Sequence, residues 1–203
     1  MTAMLNPYLK LGRRRAPYTG LAVLTSILMF AVMGYHGAPL KEPKETYTST
    51  PRGIVDLELC WTADRANRIL ESWNSRKSFR DPGAALLEVA IENTWLDFGF
   101  IVIYSTAVTL FCGYAATRTS HISLSGLLIV LSWGQPVAGC LDAIENISML
   151  LMLYEENVTG EFPAVVTTIC AGIKFSLIGM GSLPGLGTIA FGGFPGEKSE
   201  GDK

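Results

Sequence analysis

Two long apolar runs constrain this chain more than any other feature: Thr94 to Ala116 carries one charge, Asp97, and Ile122 to Leu141 carries none. A hydrocarbon core about 30 Å thick needs roughly 20 residues of helix rising about 1.5 Å each, so both runs are long enough to span one. A third run, Pro163 to Gly181, holds only Lys174. A fourth, Tyr18 to Tyr35, follows the basic stretch "GRRR", a combination that secretory signal peptides share. Its exit, "GYHGAP", lacks the small-x-small pattern a peptidase needs, so an uncleaved anchor is expected. The composition agrees, with 49% apolar residues and only 17% charged, a balance tilted away from an ordinary soluble domain.

The expected fold is all-α: a four-transmembrane-helix bundle with a small extramembrane β/α cap between helices 1 and 2. Residues 1–17 form a basic tail, 18–35 the first transmembrane helix, 36–81 the cap, 82–181 a three-helix membrane bundle, and 182–203 a Gly/Pro-rich tail. Within the cap, "IVDLELCW" alternates Val55, Leu57, Leu59 and Trp61 against Asp56, Glu58 and Cys60, which predicts a strand over 54–61, with "TYTST" as its hairpin partner. Thr62 can then cap a helix over 63–74, whose apolar residues Ala66, Ile69, Leu70 and Trp73 recur at helical spacing. Asp81 and Pro82 read as the cap and first position of the next helix, and the glycines and prolines after Gly181 read as helix breakers. Trp61, Trp73 and Trp95 are expected in an interfacial aromatic belt.

Lys10, Arg13, Arg14, Arg15 and Arg118 stand against an acidic loop from Glu155 to Phe162, which places both termini and the Arg118 turn in the cytoplasm by the positive-inside rule. A bacterial inner membrane is the expected location. Net charge near zero, with no basic stripe interleaved by aromatics, gives no case for nucleic acid. The four cysteines contain no CxxC pair, and His36 and His121 fall at opposite ends of their spans, so neither a metal nor another cofactor is expected.

Helical hairpins work as rulers, because residues equidistant from a short turn lie at one height. With "RTSH" centred between Thr119 and Ser120, Asp97 and Asp142 each lie about 22 residues from the centre and should be level. The same arithmetic sets Glu92 and Asn93 opposite Glu145 and Asn146, and the outer loop mirrors Asp142 onto the neighbourhood of Lys174. Gly134, Ala138, Asp142 and Asn146 recur every four residues, on a small-residue face suited to helix packing in lipid. Tyr104 shares a helix face with Asp97, one to two turns below it. The candidate polar cluster is therefore Asp97, Tyr104, Asp142, Glu145, Asn146 and Lys174. Ionisable residues at this depth mark ion paths, proton relays or polar-ligand pockets, or else form a closed network that fixes helix register.

The order "LELCWTADRANRILESW", "LDFGFIVIY", "GCLDAIEN", then a lysine in the last helix, resembles small four-helix bacterial membrane proteins that carry no assigned activity. The resemblance spans about Ile54 to Lys174 and implies four membrane helices sharing a charged cluster. No Ser, Cys or His is positioned to complete a reaction site, which weighs against an enzyme. The leading expectation is an accessory or scaffolding subunit of a larger membrane complex, partnered by lipid and other membrane subunits. The alternative is a lipid- or amphiphile-binding, or proton- or ion-translocating, protein using Asp97, Asp142 and Lys174.

Overall fold

The structure, a computed structural model, describes residues 2–41, 50–78, 84–155 and 157–190, with the backbone alone over 2–16. It is helical throughout: α1 (Thr2–His36), a short 3-10 helix (Ala38–Leu40), α2 (Ile54–Glu58), α3 (Ala63–Asn74), α4 (Leu86–Ala116), α5 (Ile122–Tyr154) and α6 (Glu161–Ala190). Four helices are long and apolar enough to cross a membrane: Pro17–His36 within α1, and the whole of α4, α5 and α6. Thr25, Thr94, Thr109, Thr168 and Thr188 each turn the hydroxyl back onto the carbonyl four residues earlier, a bond that needs no water.

No strand occurs among the described residues, which corrects the expected β/α cap. Residues 54–58 are helical, and the pairing nearest to a sheet is an isolated antiparallel bridge between Lys77 and Ala85. Burial supplies the reason. Leu57 and Glu58 are both buried, which the expected half-buried strand would prevent by sending one of them to the water face, whereas a helix sets neighbours about 100° apart. The "PRG" turn leads directly into this helix, with Asp56 N–H donating to the Gly53 carbonyl at 3.0 Å and Arg52 N–H to the Asp56 carboxylate at 2.7 Å. The expected partner strand lies almost wholly outside the described residues, as do Asp81 and Pro82. The end of α6 also differs from expectation: helix continues through Pro184 to Ala190, and 191–203 lie outside the described residues. Gly and Pro break helices readily in water. In lipid the backbone has no other donor or acceptor, so helix persists.

The chain divides into two compact units. One comprises Met1–Ser26, Ile103–Ala138 and Phe175–Lys203. In it Pro136 lies inside α5 and removes the N–H that would bond the Ser132 carbonyl. The Thr109 hydroxyl, bonded mainly to Ser105, approaches that carbonyl at 3.3 Å. Gln135 donates to the Leu131 and Leu177 carbonyls, both at 3.1 Å, joining α5 to α6. The Cys112 thiol donates to the Gly181 carbonyl at 3.3 Å, about one turn before Pro184.

The other unit comprises Ile27–Val102 and Gly139–Lys174. Its core gathers Leu40, Leu57, Ile69, Trp73, Ala90, Met149 and Met152. Trp73 is wholly buried, its indole N–H donating to the Thr50 hydroxyl at 3.4 Å, so it is a core residue and no member of a surface belt. Asn67 clamps α3 to the α5–α6 loop, donating to the Val158 carbonyl at 3.0 Å and accepting from the Val158 N–H at 2.8 Å. Thr62 accepts from Arg65 N–H at 3.2 Å, and Glu161 accepts from Ala63 N–H at 2.8 Å. Two of the orphan donors at the start of α3 are thereby satisfied.

Candidate functional site

Lys174 is the centre of a charged group inside the second unit. Its Nζ donates to Asp142 Oδ1 at 2.6 Å and to Glu145 Oε1 at 2.9 Å, and Glu58 Oε2 stands 3.9 Å away. All four residues are buried. Asp142 and Glu145 reach one ammonium because residues three apart share a helix face. Asn146 on that same face donates to Asp97 Oδ2 at 2.8 Å, tying α5 to α4.

Every residue of the expected cluster is accounted for. Asp142, Glu145 and Lys174 meet directly, and Asp97 joins through Asn146. Tyr104 is buried and belongs to the other unit, about two turns further along α4 than Asp97. Glu92 and Asn93 do not face Glu145 and Asn146. They turn to α1, where Glu92 approaches His36 Nε2 at 3.3 Å and Asn93 donates to the Met33 carbonyl at 3.2 Å.

Glu58 is the member that the sequence reading leaves out, having set it on the water face of a strand. No periodicity within "IVDLE" separates a five-residue helix from a short strand. The one signal is Gly53, a residue type that marks special backbone positions. Burial pushes the Glu58 carboxyl up to about 7, with Lys174 pulling it down, the carboxylates of Asp97 and Asp142 pushing it up, and a hydrogen bond with the Glu145 side chain lowering it. Burial likewise raises the nearby Cys60 thiol to about 11, leaving it a protonated core side chain at neutral pH.

The arithmetic of charge decides what this group can do. Glu58, Asp97, Asp142 and Glu145 supply four carboxylates, and Lys174 is the one cation among them. Glu58, Asp142 and Glu145 are buried and Asp97 is half-buried, so full ionisation would leave three negative charges uncompensated where water screens them little. Three of its oxygens, Glu58 Oε2, Glu145 Oε2 and Asn146 Oδ1, are buried and receive no hydrogen bond from a fixed donor among the described residues. Among those residues no set of three or more His, Cys, Asp or Glu is arranged to hold a metal ion. Neither a family model, nor a curated protein, nor a solved structure matches this chain.

Proposed function

We propose that this integral membrane protein takes up and releases protons through the Lys174 group. The observation that carries the reading is the excess of carboxylates over cations: Glu58, Asp142 and Glu145 are buried around one ammonium, with Asp97 half-buried beside them. Such a group changes its proton count when its surroundings change, because each carboxylate's charge depends on the charges of the others. The same excess disfavours an anionic lipid headgroup as occupant.

Infrared difference spectra between pH 5 and pH 9, with the protein in lipid nanodiscs, test this. Buried carboxylic acids should lose their C=O band and gain carboxylate bands as pH rises, and Asp142→Asn should change the size of that loss. Spectra without any loss of a carboxylic acid band would sink the reading.

An accessory role in a larger membrane complex is supported by α1. Only 6% of its apolar span is buried within the chain, against 28%, 28% and 39% for α4, α5 and α6. Gentle extraction and native sizing decide it: a stable assembly with other subunits is expected, and a lone 22.0 kDa species would exclude it.

A further inference from the structure

We propose that Glu58 is the residue through which the Lys174 group exchanges protons with water on the cap side, and that α2 is the hinged plug carrying it. The inference rests on the proton-exchange reading above and adds a port and a moving part. Glu58 is the group's one member outside the four membrane-length helices. Asp97 is also partly exposed, but it follows the exposed apolar residues Trp95 and Leu96 on α4, so its surroundings are apolar.

Glu58 is also the member most loosely held. Asp142 and Glu145 sit within hydrogen-bond distance of Lys174, whereas Glu58 Oε2 is 3.9 Å from it and receives no hydrogen bond from a fixed donor among the described residues. The charged groups facing Glu58 are Lys174 from α6, Asp97 from α4, and Asp142 and Glu145 from α5. Ionised, Glu58 gains one ammonium and meets the carboxylates of Asp97 and Asp142; protonated, it keeps its seat without that repulsion. Its ordinary carboxyl value is raised to about 7 by burial, which brings the exchange into the neutral range.

The backbone around α2 is built to turn. Among the described residues the positive φ values belong to Gly53, at 67°, and Trp61, at 60°, and these bracket α2. A side chain at Gly53 would meet Lys41 Cγ at 3.3 Å. A bulky residue such as Trp61 adopts this region only under strain. Beyond Trp61 the chain is bolted down, by Trp61 N–H donating to the Thr168 hydroxyl at 3.1 Å and by the Asn67 clamp. No side chain caps the N-terminus of α2, and Leu57 is its buried apolar anchor.

The transfer balances simply. A hydronium ion at the cap surface gives a proton to a Glu58 carboxylate oxygen, forming an O–H bond and leaving water. With α2 seated, that O–H bond breaks and the proton passes to a carboxylate oxygen of Glu145, which loses one negative charge as Glu58 regains one. Release runs the same steps in reverse, and no electrons are exchanged with another reactant.

Stopped-flow pH jumps on the full-length protein in nanodiscs, read by a water-soluble indicator dye, test the port. Glu58→Gln should slow uptake on the order of a hundredfold, the scale of removing a positioned proton donor, and Glu58→Asp should keep much of the rate. Glu88→Gln, exposed on α4 and outside the group, should exchange as fast as the natural protein. Fast uptake in Glu58→Gln, or equally slow uptake in Glu88→Gln, overturns the proposal. Wild-type protein that takes up no protons defeats the proton-exchange reading itself, a distinct result. Cys60, buried just after α2, reports the plug. With Cys112, Cys140 and Cys170 replaced by serine, a water-soluble maleimide at pH 8 should modify Cys60 more slowly in Glu58→Gln than with Glu58 present. Faster modification in Glu58→Gln would mean that a neutral side chain does not seat α2, and overturns the plug.

Discussion

A single ammonium holding two buried carboxylates at hydrogen-bond distance is a costly arrangement to disturb from the lysine side. Lys174→Met keeps most of the stem's volume and leaves Asp142 and Glu145 facing each other without a cation. Breaking a buried pair by removing one partner costs about 3–5 kcal/mol, so thermal unfolding in detergent should drop sharply. Adding Asp142→Asn should recover part of that loss, and equal melting of the single and double variants would show that the pair is energetically uncoupled. Glu58 gives a separate pH signature. Its folded value of about 7 lies above the ordinary 4.5, so between those values the folded protein holds a proton that the unfolded chain has released. Stability from this residue is fully present below pH 4.5 and is lost as pH rises through 7, by a total on the order of 3 kcal/mol. The melting temperature should therefore fall between pH 5 and pH 8, and Glu58→Gln should flatten that slope. At this scale Asp97, Asp142 and Lys174 were legible because each interrupts an apolar run. Glu58 was not, since a carboxylate in an already polar segment gives no such contrast.

Among the elements, the long helices were the readable ones and α2 the misread one, for a common reason. Twenty residues of apolar pattern outvote any local ambiguity, whereas in five residues tertiary burial decides between helix and strand. Proline and glycine misled at the end of α6 because their breaking tendency is a statement about water. What the glycines do there is permit close approach. A Cβ at Gly185 would come within 2.5 Å of the Phe111 ring, and one at Gly181 within 2.6 Å of the Gln135 amide nitrogen, which is itself bonded to two carbonyls. Gly181→Ala should therefore destabilise by about 1–3 kcal/mol, the usual cost of overpacking, and loosen the Gln135 bonds to α5 and α6. Gly185→Ala should be rescued by Phe111→Leu, measured as recovery of melting temperature. If Phe111→Leu worsens the defect, ring contact is not the cause.

For the molecule as a whole, the question is where the hydrocarbon band lies along helices longer than it needs. Along α4 the exposed side chains change from acidic, at Glu88 and Glu92, to apolar at Trp95 and Leu96. From Trp95 to Ala116 is about 32 Å of helix, close to the thickness of a hydrocarbon core. Trp95 also donates to the Tyr154 hydroxyl at 3.3 Å, the polar contact expected of an aromatic at the headgroup level. A hydrocarbon band over that stretch would set Asp97 about one turn or less inside the interface and the Lys174 group at the shallow edge of the membrane, where exchange with water costs least. Trp133 is exposed on α5 and lies about 17 Å from the start of its helix at Ile122, near the middle of a span of hydrocarbon thickness. Single-tryptophan variants in lipids brominated at different depths test this directly. Trp95 should be quenched best by bromine near the headgroup, and Trp133 by bromine near the acyl chain end. The reverse order would push the charged group toward the bilayer centre, where protons would reach Glu58 only by crossing lipid, and a cap-side port would have no water to serve.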